Sequence, residues 1–326
     1  MSSVCPEGKS LAQRIEDVSR QLDWKKTPEG QRQYVRQTRA NICVLLAQHP
    51  HRLGELSWDE FLVRVMLNDE QITDDQLMAI GIWLDRTFDM RSVSLQLLKE
   101  SALYVARQNR VNPLRDYLCS LAWDGVPRAE TWLMEAMQAD DTALNREYSK
   151  KWLIQAVARA LDPGCQADTV LVLTGKQGIG KSTLLGLLAS SDWFNDTDLD
   201  MRSKDRFMQA HSAWIHEVPE LSSFRRARQD AVKAFITSRQ DRFRVPYATS
   251  VEVFPRRCVF VATTNEEEFL VDATGSRRFW VMRVRSLDRR WVIENRDQLW
   301  AEAVHLYRNH EPWWLDAGCE LLRQAA

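Results

Sequence analysis

Apolar and polar residues follow two different rhythms along the chain. Up to about residue 160, apolar residues recur at helical spacing, as at Leu95, Leu98, Ala102, Val105 and Ala106, with few strand-like alternations, so a mostly helical N-terminal domain is expected over 1–160. Breaks are sparse there and fall near Thr27-Pro28-Glu29-Gly30, His49-Pro50, Asn112-Pro113 and Asp124-Gly125-Val126-Pro127. The texture changes at Asp162-Pro163-Gly164. The following run, Thr169-Val-Leu-Val-Leu-Thr174, is short, apolar and bounded by glycine, as a strand buried in a parallel sheet should be. Further strands are expected at 213–216, 258–263 and 279–284, with helices at 182–189 and 230–238 between them. That alternation predicts an α/β domain over 161–326.

Composition narrows the class. With 326 residues and 44% hydrophobic content the chain can bury a sizeable core. It contains no run of about 18 apolar residues, and its polar start, MSSVCPEGKS, lacks the apolar stretch of a secretory signal. A cytoplasmic protein with no membrane partner is the expectation. Cys5, Cys43, Cys119, Cys165, Cys258 and Cys319 show no C-x-x-C spacing and read as reduced thiols. His49-Pro-His51 has no further ligands nearby, so no metal beyond a nucleotide's magnesium is expected. The net charge of -1 hides a basic stretch from Arg225 to Arg257, where nine basic residues face three acidic ones. That stretch is the leading candidate for contact with nucleic-acid phosphates, against a plain solvated surface.

The clearest chemical signal is Gly175-Lys176-Gln177-Gly178-Ile179-Gly180-Lys181-Ser182, which satisfies G-x-x-x-x-G-K-[ST] between a predicted strand and a predicted helix. Glycines there let backbone N–H groups turn inward around a β-phosphate, and the following helix adds its positive end. Lys181 would bridge the β- and γ-phosphates as an exposed ligand, and Ser182 would offer its hydroxyl to Mg2+. Thr183 would face helix packing or a nearby phosphate. ATP with magnesium is the expected cofactor pair, since the chain lacks N-K-x-D for guanine and the L-S-G-G-Q of transporter ATPases.

A magnesium nucleotide also needs a carboxylate at the end of a neighbouring strand. Glu217 follows the predicted 213–216 strand, 36 positions after Lys181, and Glu220 lies three further on. Glu217 is assigned to the metal and Glu220 to the attacking water, although the two could be exchanged. Asp196-Thr-Asp198-Leu-Asp200 follows no clear hydrophobic strand and reads as a loop rather than a two-metal site. Asn265 ends the strand Cys258-Val-Phe-Val-Ala-Thr-Thr and could orient the γ-phosphate or water. Gly275-Ser-Arg277-Arg278-Phe279-Trp280 sets two arginines just ahead of the next strand, where a guanidinium could neutralise charge on a transferred phosphoryl group.

These segments, in this order, resemble the virulence-associated E family of phage, plasmid and genomic-island proteins, whose ATPase core is similar to superfamily three helicases. The resemblance rests on Asn112-Pro-Leu-Arg-Asp-Tyr-Leu118, Trp123-Asp-Gly-Val-Pro-Arg128, the glycine loop, Glu217-Val-Pro-Glu220-Leu, Asp241-Arg-Phe-Arg-Val-Pro-Tyr247, Thr263-Thr-Asn265 and Gly275-Ser-Arg-Arg-Phe-Trp280. It implies an AAA+-like P-loop NTPase acting in replication of mobile DNA, as a homo-oligomeric ring, a hexamer being favoured. Lys181 would then serve in Walker A, Glu217 in Walker B, Asn265 as sensor, and Arg278, backed by Arg277, as a finger from the neighbouring subunit. It also implies a hairpin that grips single-stranded DNA. Arg242-Phe-Arg244-Val245 and Val251-Glu-Val-Phe254 alternate as two strands around Tyr247-Ala-Thr-Ser250, which makes Arg239, Arg242, Arg244 and Tyr247 the DNA-binding candidates, unless the hairpin only completes the sheet. Two departures from the family stand out: Val218-Pro219 separates two carboxylates usually adjacent, and no primase site precedes the motor. A helicase is the leading reading. An ATP-switched loader that recruits host replication proteins, or a small-molecule phosphoryl transferase, are the alternatives.

Overall fold

Contacts between residues divide the chain after Val111. In the computed structural model, which describes residues 11–48, 54–90, 93–246, 248, 250–265, 276–319 and 323, one compact unit comprises Met1–Val111 with Val245–Ser250. The other comprises Asn112–Arg244 with Val251–Ala326.

The first unit holds α1 (Leu11–Gln21), β1 (Trp24–Lys26), β2 (Arg32–Val35), α2 (Arg39–Gln48), β3 (Leu56–Asp59), β4 (Arg64–Leu67), β5 (Glu70–Gln71), α3 (Asp74–Phe88), α4 (Leu95–Ala106) and β6 (Arg110–Val111). The expected apolar stripe is present on α4, which buries Leu98, Ala102, Val105 and Ala106. Thr73 and Gln76 form a reciprocal capping box that starts α3. What the helical pattern does not show is a four-stranded sheet in the order β5-β4-β3-β6. Its strands are very short, and β3 is buried at every position, so no two-residue alternation marks it in the sequence.

The second unit begins with α5 (Pro113–Ser120), where Asn112 accepts from the Arg115 N–H and Pro113 takes the first helical turn. It continues through α6 (Trp132–Met137), α7 (Ala143–Leu161), β7 (Val170–Thr174), α8 (Lys181–Ala189), β8 (Phe194–Asn195), α9 (Arg206–Ala210), β9 (Ile215–Val218), α10 (Ser222–Arg226) and α11 (Gln229–Thr237). β10 (Gln240–Phe243), β11 (Glu252–Pro255), β12 (Val259–Thr264), β13 (Phe279–Arg283) and α12 (Arg289–Arg308) complete it. α5 to α7 share the helical texture of the first 111 residues but are buried in this unit, because periodicity reports an apolar face and not the neighbour that covers it.

Five parallel strands form its sheet in the order β13-β7-β12-β9-β8. β7 and β12 are buried throughout and read as unbroken apolar runs, as strands covered on both faces must. Val170 and Val172 pack with Val218, Phe260 and Ala262 against Val232, Phe235 and Ile236 of α11. Tryptophans lock the helices to this sheet: the Trp214 indole donates to the Ala156 carbonyl of α7, and that of Trp300 to the Leu188 carbonyl at the end of α8, with the two rings 4.3 Å apart. The buried Arg159 guanidinium ties the loops under the sheet by donating to the carbonyls of Ala167, Ser238 and Arg256.

The base of the β10–β11 hairpin is held by a buried ionic network. Arg256 donates to both oxygens of Asp241 while lying over the Phe235 ring, and His211 Nε2 sits 3.1 Å from Asp241 Oδ2. Burial alone would raise the Asp241 carboxyl, but hydrogen bonds from His211 and Arg256 outweigh it and hold it below its ordinary value. Burial pushes His211 down and His216 down to about 4, from an ordinary 6.5. As pH falls below 6.5 the unfolded chain takes up these protons first, so stability should be full above that value and decline toward about pH 4. The His216 contribution amounts to about 3 kcal/mol across the window. Urea titrations from pH 7 to pH 4 should show the decline, and His216→Leu should remove its own share; identical pH profiles for the two chains would refute it.

Candidate functional site

β7 delivers the glycine loop at the carboxyl end of the parallel sheet, with β12 on one side and β13 on the other. That end, where strand order reverses about one strand, is where open α/β sheets place ligands. The glycines have separable reasons. Gly178 and Gly180 have φ of 80° and 95°, which side-chain-bearing residues rarely adopt. A Cβ on Gly175 would fall 2.3 Å from the Val284 carbonyl oxygen, and one on Gly180 would fall 2.8 Å from the Leu287 side chain. Gly178 meets nothing within 4 Å, so the loop is open only at its crown. Gln177 is exposed there and Ile179 is half-buried, while Gly180 leads directly into α8 and Thr183 lies exposed on its first turn.

Lys181 departs from its expected exposure. It is 7% exposed, because its ammonium folds back and donates to the carbonyls of Gly175 at 2.7 Å and Lys176 at 3.0 Å and to Asn265 Oδ1 at 3.0 Å. Three protons thus meet three acceptors, which satisfies a charge at this depth. Burial lowers the Lys181 pKa, opposed by the charges of Glu220 and Glu217. From Asn265 the chain of contacts continues: its amide donates to Glu220 Oε1 at 2.9 Å and its backbone N–H lies 3.3 Å from Glu220 Oε2. Glu220 has φ 52° and ψ 20°, outside the usual range for its short helical turn.

A second chain of contacts runs beside the first. The Ser182 hydroxyl donates to Glu217 Oε1 at 2.7 Å and the Thr263 hydroxyl donates to the same oxygen at 2.6 Å. Glu217 is fully buried at 0% exposure, and its Oε2 has no partner among the described residues. Burial raises its pKa, against the hydrogen bonds of Thr263 and Ser182, and the charge of Asp196 raises it further. The structure therefore separates the two glutamates: Glu217 meets Ser182, and Glu220 meets Asn265. A hydroxyl beside an unpaired buried carboxylate oxygen is a fitting donor set for Mg2+, which takes oxygen ligands. Thr263 was not singled out by sequence, although it belongs to the polar triplet that ends β12.

Arg277 and Arg278 stand elsewhere. They form the short turn Ser276–Arg278 at the amino end of β13, whereas Arg283 at its other end pairs with Thr174 beside the loop. Five strand residues separate them from the loop, about 16 Å of rise, more than an arginine side chain spans. Both line a cavity of about 590 Å³ together with Gln155, Thr169, Trp280 and Trp313, and Arg278 Nε is buried without a partner among the described residues. Gly275, just before them, lies outside the described residues.

The hairpin pairs Arg242 with Val253 and Phe243 with Glu252. Arg242, Arg244, Val251 and Val253 are exposed, while Phe243 turns inward and packs 4.7 Å from Phe254. The outer face therefore offers cations and valines but no phenylalanine. Arg239, exposed, already donates to the Gly164 carbonyl at 2.7 Å. Tyr247 lies outside the described residues.

The sequence pattern of the virulence-associated protein E-like domain matches residues 118–325. The chain belongs to this family. The family's span covers the whole parallel sheet, both contact chains and the hairpin. Lipoprotein-releasing system ATP-binding protein LolD 2 of Rhodopirellula baltica is 32% identical over 94 residues, 24% of this chain and 37% of that protein, so the chain spans little more than a third of that relative. Among solved structures, the apo NrS-1 C-terminal region (305–718) is similar at 12% identity and a TM-score of 0.45, over 84% of this chain and 70% of that one. A further structure of the same region is similar at 13% identity and a TM-score of 0.43, over 85% and 73%. No helix among the described residues is long and apolar enough to cross a membrane.

Proposed function

We propose that this family member is a P-loop ATPase that requires Mg2+ and acts as a motor on single-stranded DNA, as a replicative helicase of mobile DNA does. The observation that carries the reading is the pair of contact chains beginning at adjacent residues, Lys181–Asn265–Glu220 and Ser182–Glu217–Thr263. They join the glycine loop to the ends of β9 and β12 and set one cation and two carboxylates around one point. Lys181 is held by weak carbonyl partners that a phosphate would replace with a stronger, charge-assisted one. Asn265 would then pass the change to Glu220, whose carboxylate, released from Asn265, would orient water. Ser182 and Glu217 would hold the magnesium, whose charge, when bound, neutralises the phosphates. Arg278, too far from its own loop, is offered to the loop of a neighbouring subunit, so the reading includes a homo-oligomeric ring, a hexamer being favoured.

DNA-stimulated ATP turnover, measured with molecular mass in the presence and absence of nucleotide, tests this. No binding of ATP at millimolar concentration would end it, and turnover without strand displacement would favour a switched loader that engages host replication proteins. Arg242 and Arg244 are the cations for DNA on the hairpin's outer face. Arg242→Ala with Arg244→Ala should weaken single-stranded DNA binding across all sequences. The double substitution should also reduce the slope of log affinity against log salt, by about 0.7 for each phosphate left without its arginine. An unchanged slope would place the DNA path elsewhere.

A further inference from the structure

The carboxylate missing beside Glu217 in sequence is supplied across the sheet. β8 runs parallel to β9 with Phe194 opposite Ile215 and Asn195 opposite His216, and continuing that register one residue past the end of β8 would set Asp196 alongside Glu217. Adjacent strands lie about 4.8 Å apart, and residues opposite each other in a parallel pair share a face. Phe194 shows which face this is: a Cβ on Gly186 of α8 would lie 3.4 Å from its ring, so Phe194 faces α8. Asp196, two residues on, continues the same side, toward the helix that begins with Lys181 and Ser182. Asp196 is exposed at the strand's carboxyl end, whereas Asp200 holds the Arg202 N–H in its own turn. Glu220 is not free to play this part, since both its oxygens face Asn265. Beside Asp196, Glu217 keeps one buried oxygen, Oε2, without a partner among the described residues.

We propose that Asp196 is the second carboxylate of the magnesium site, brought to Glu217 and Ser182 from the neighbouring strand instead of from the next position in the chain. This deepens the nucleotide reading above and rests on it. Two carboxylates this close repel each other in the absence of a cation, and a divalent ion beside them removes that repulsion. Asp196 would be a positioning residue here: with Glu217 and Ser182 it would help hold the ion and would not touch the reacting phosphorus.

The test is the affinity of a fluorescent ATP analogue titrated with Mg2+ against Asp196→Asn, Asp198→Asn and the unaltered chain. Asp196→Asn should raise the Mg2+ concentration needed for half-maximal tightening by 10- to 100-fold, the usual effect of losing an outer-shell partner. Affinity in chelator should stay the same or improve, since a negative charge has been removed. Asp198→Asn should match the unaltered chain. A Mg2+ profile of Asp196→Asn identical to that of the unaltered chain would overturn the proposal alone. Equal shifts for both substitutions would also overturn it, by showing a general charge effect. An unaltered chain whose nucleotide binding ignores Mg2+ would overturn the nucleotide reading and this proposal with it. Because Asp196 is exposed, its substitution should not lower the thermal midpoint.

Discussion

Lys181→Ala should lower ATP turnover by a factor on the order of 10² to 10³, the loss seen when one preorganised electrostatic donor is removed from a reacting centre. The structure adds a condition to this expectation. Lys181 is buried and donates to the carbonyls of Gly175 and Lys176 and to Asn265 Oδ1, so its removal leaves three acceptors without this donor. That costs about 1–3 kcal/mol for each group that water does not reach. Turnover should therefore be measured beside circular dichroism and a urea titration, to separate loss of the phosphate ligand from loss of fold. Ser182→Ala supplies the companion measurement, because it removes the hydroxyl on Glu217 and leaves the ammonium's partners intact. A folded Lys181→Ala chain that turns over ATP at the unaltered rate would remove the glycine loop from the reaction.

Arg278→Ala should bind ATP nearly normally and lose turnover by a factor of about 10³ to 10⁵, as finger arginines do. The reason is positional. Arg278 stands at the amino end of β13, and the loop stands at the carboxyl end of β7, so no rotation of the side chain brings it to its own subunit's phosphates. If it serves a neighbour, mixing Arg278→Ala subunits with Lys181→Ala subunits creates some interfaces with Lys181 from one chain and Arg278 from the other. Turnover should then partly return. Basal and DNA-stimulated rates should both be read, since a ring that needs every site would recover only the former. A chain that stays monomeric with ATP and DNA at micromolar concentration, yet turns over at full rate, would sink the shared site.

Several of these groups were legible in the sequence because local chemistry dictates them. A glycine loop between an apolar run and a helix has one common use, and the structure gives Gly178 and Gly180 the positive φ that explains the residue type. The runs at 169–174, 258–263 and 279–284 became strands within a residue or two at each end, since a strand buried on both faces must be apolar throughout. The helix stripe of α4 and the start of α5 at Asn112-Pro113 followed from periodicity and capping in the same way. In each case the deciding interactions lie within a few residues of the pattern that reveals them.

Contacts between distant residues were decided only by the tertiary structure. Sequence could not rank Glu217 against Glu220, because both follow the predicted 213–216 strand, whereas the strand runs from Ile215 to Val218 and contains Glu217. The sheet ranks them by placing Ser182 and Thr263 on Glu217 and Asn265 on Glu220. Asp196 lies just past β8, in the loop expected from the sequence, and a two-residue strand is too short to show in the sequence that its register leads toward Glu217. The inward turn of Phe243 and the buried ion pair of Asp241 with Arg256 depend on which face of the hairpin meets the core, a choice made by His211, Phe235 and Phe254. Period and composition determine what an element is. Which elements become neighbours is set by burying their apolar faces together, and that is why the glycine loop and the candidates Glu217, Glu220 and Asn265 could be read along the chain while the partners of the two carboxylates and the distance from the loop to Arg277 and Arg278 could not.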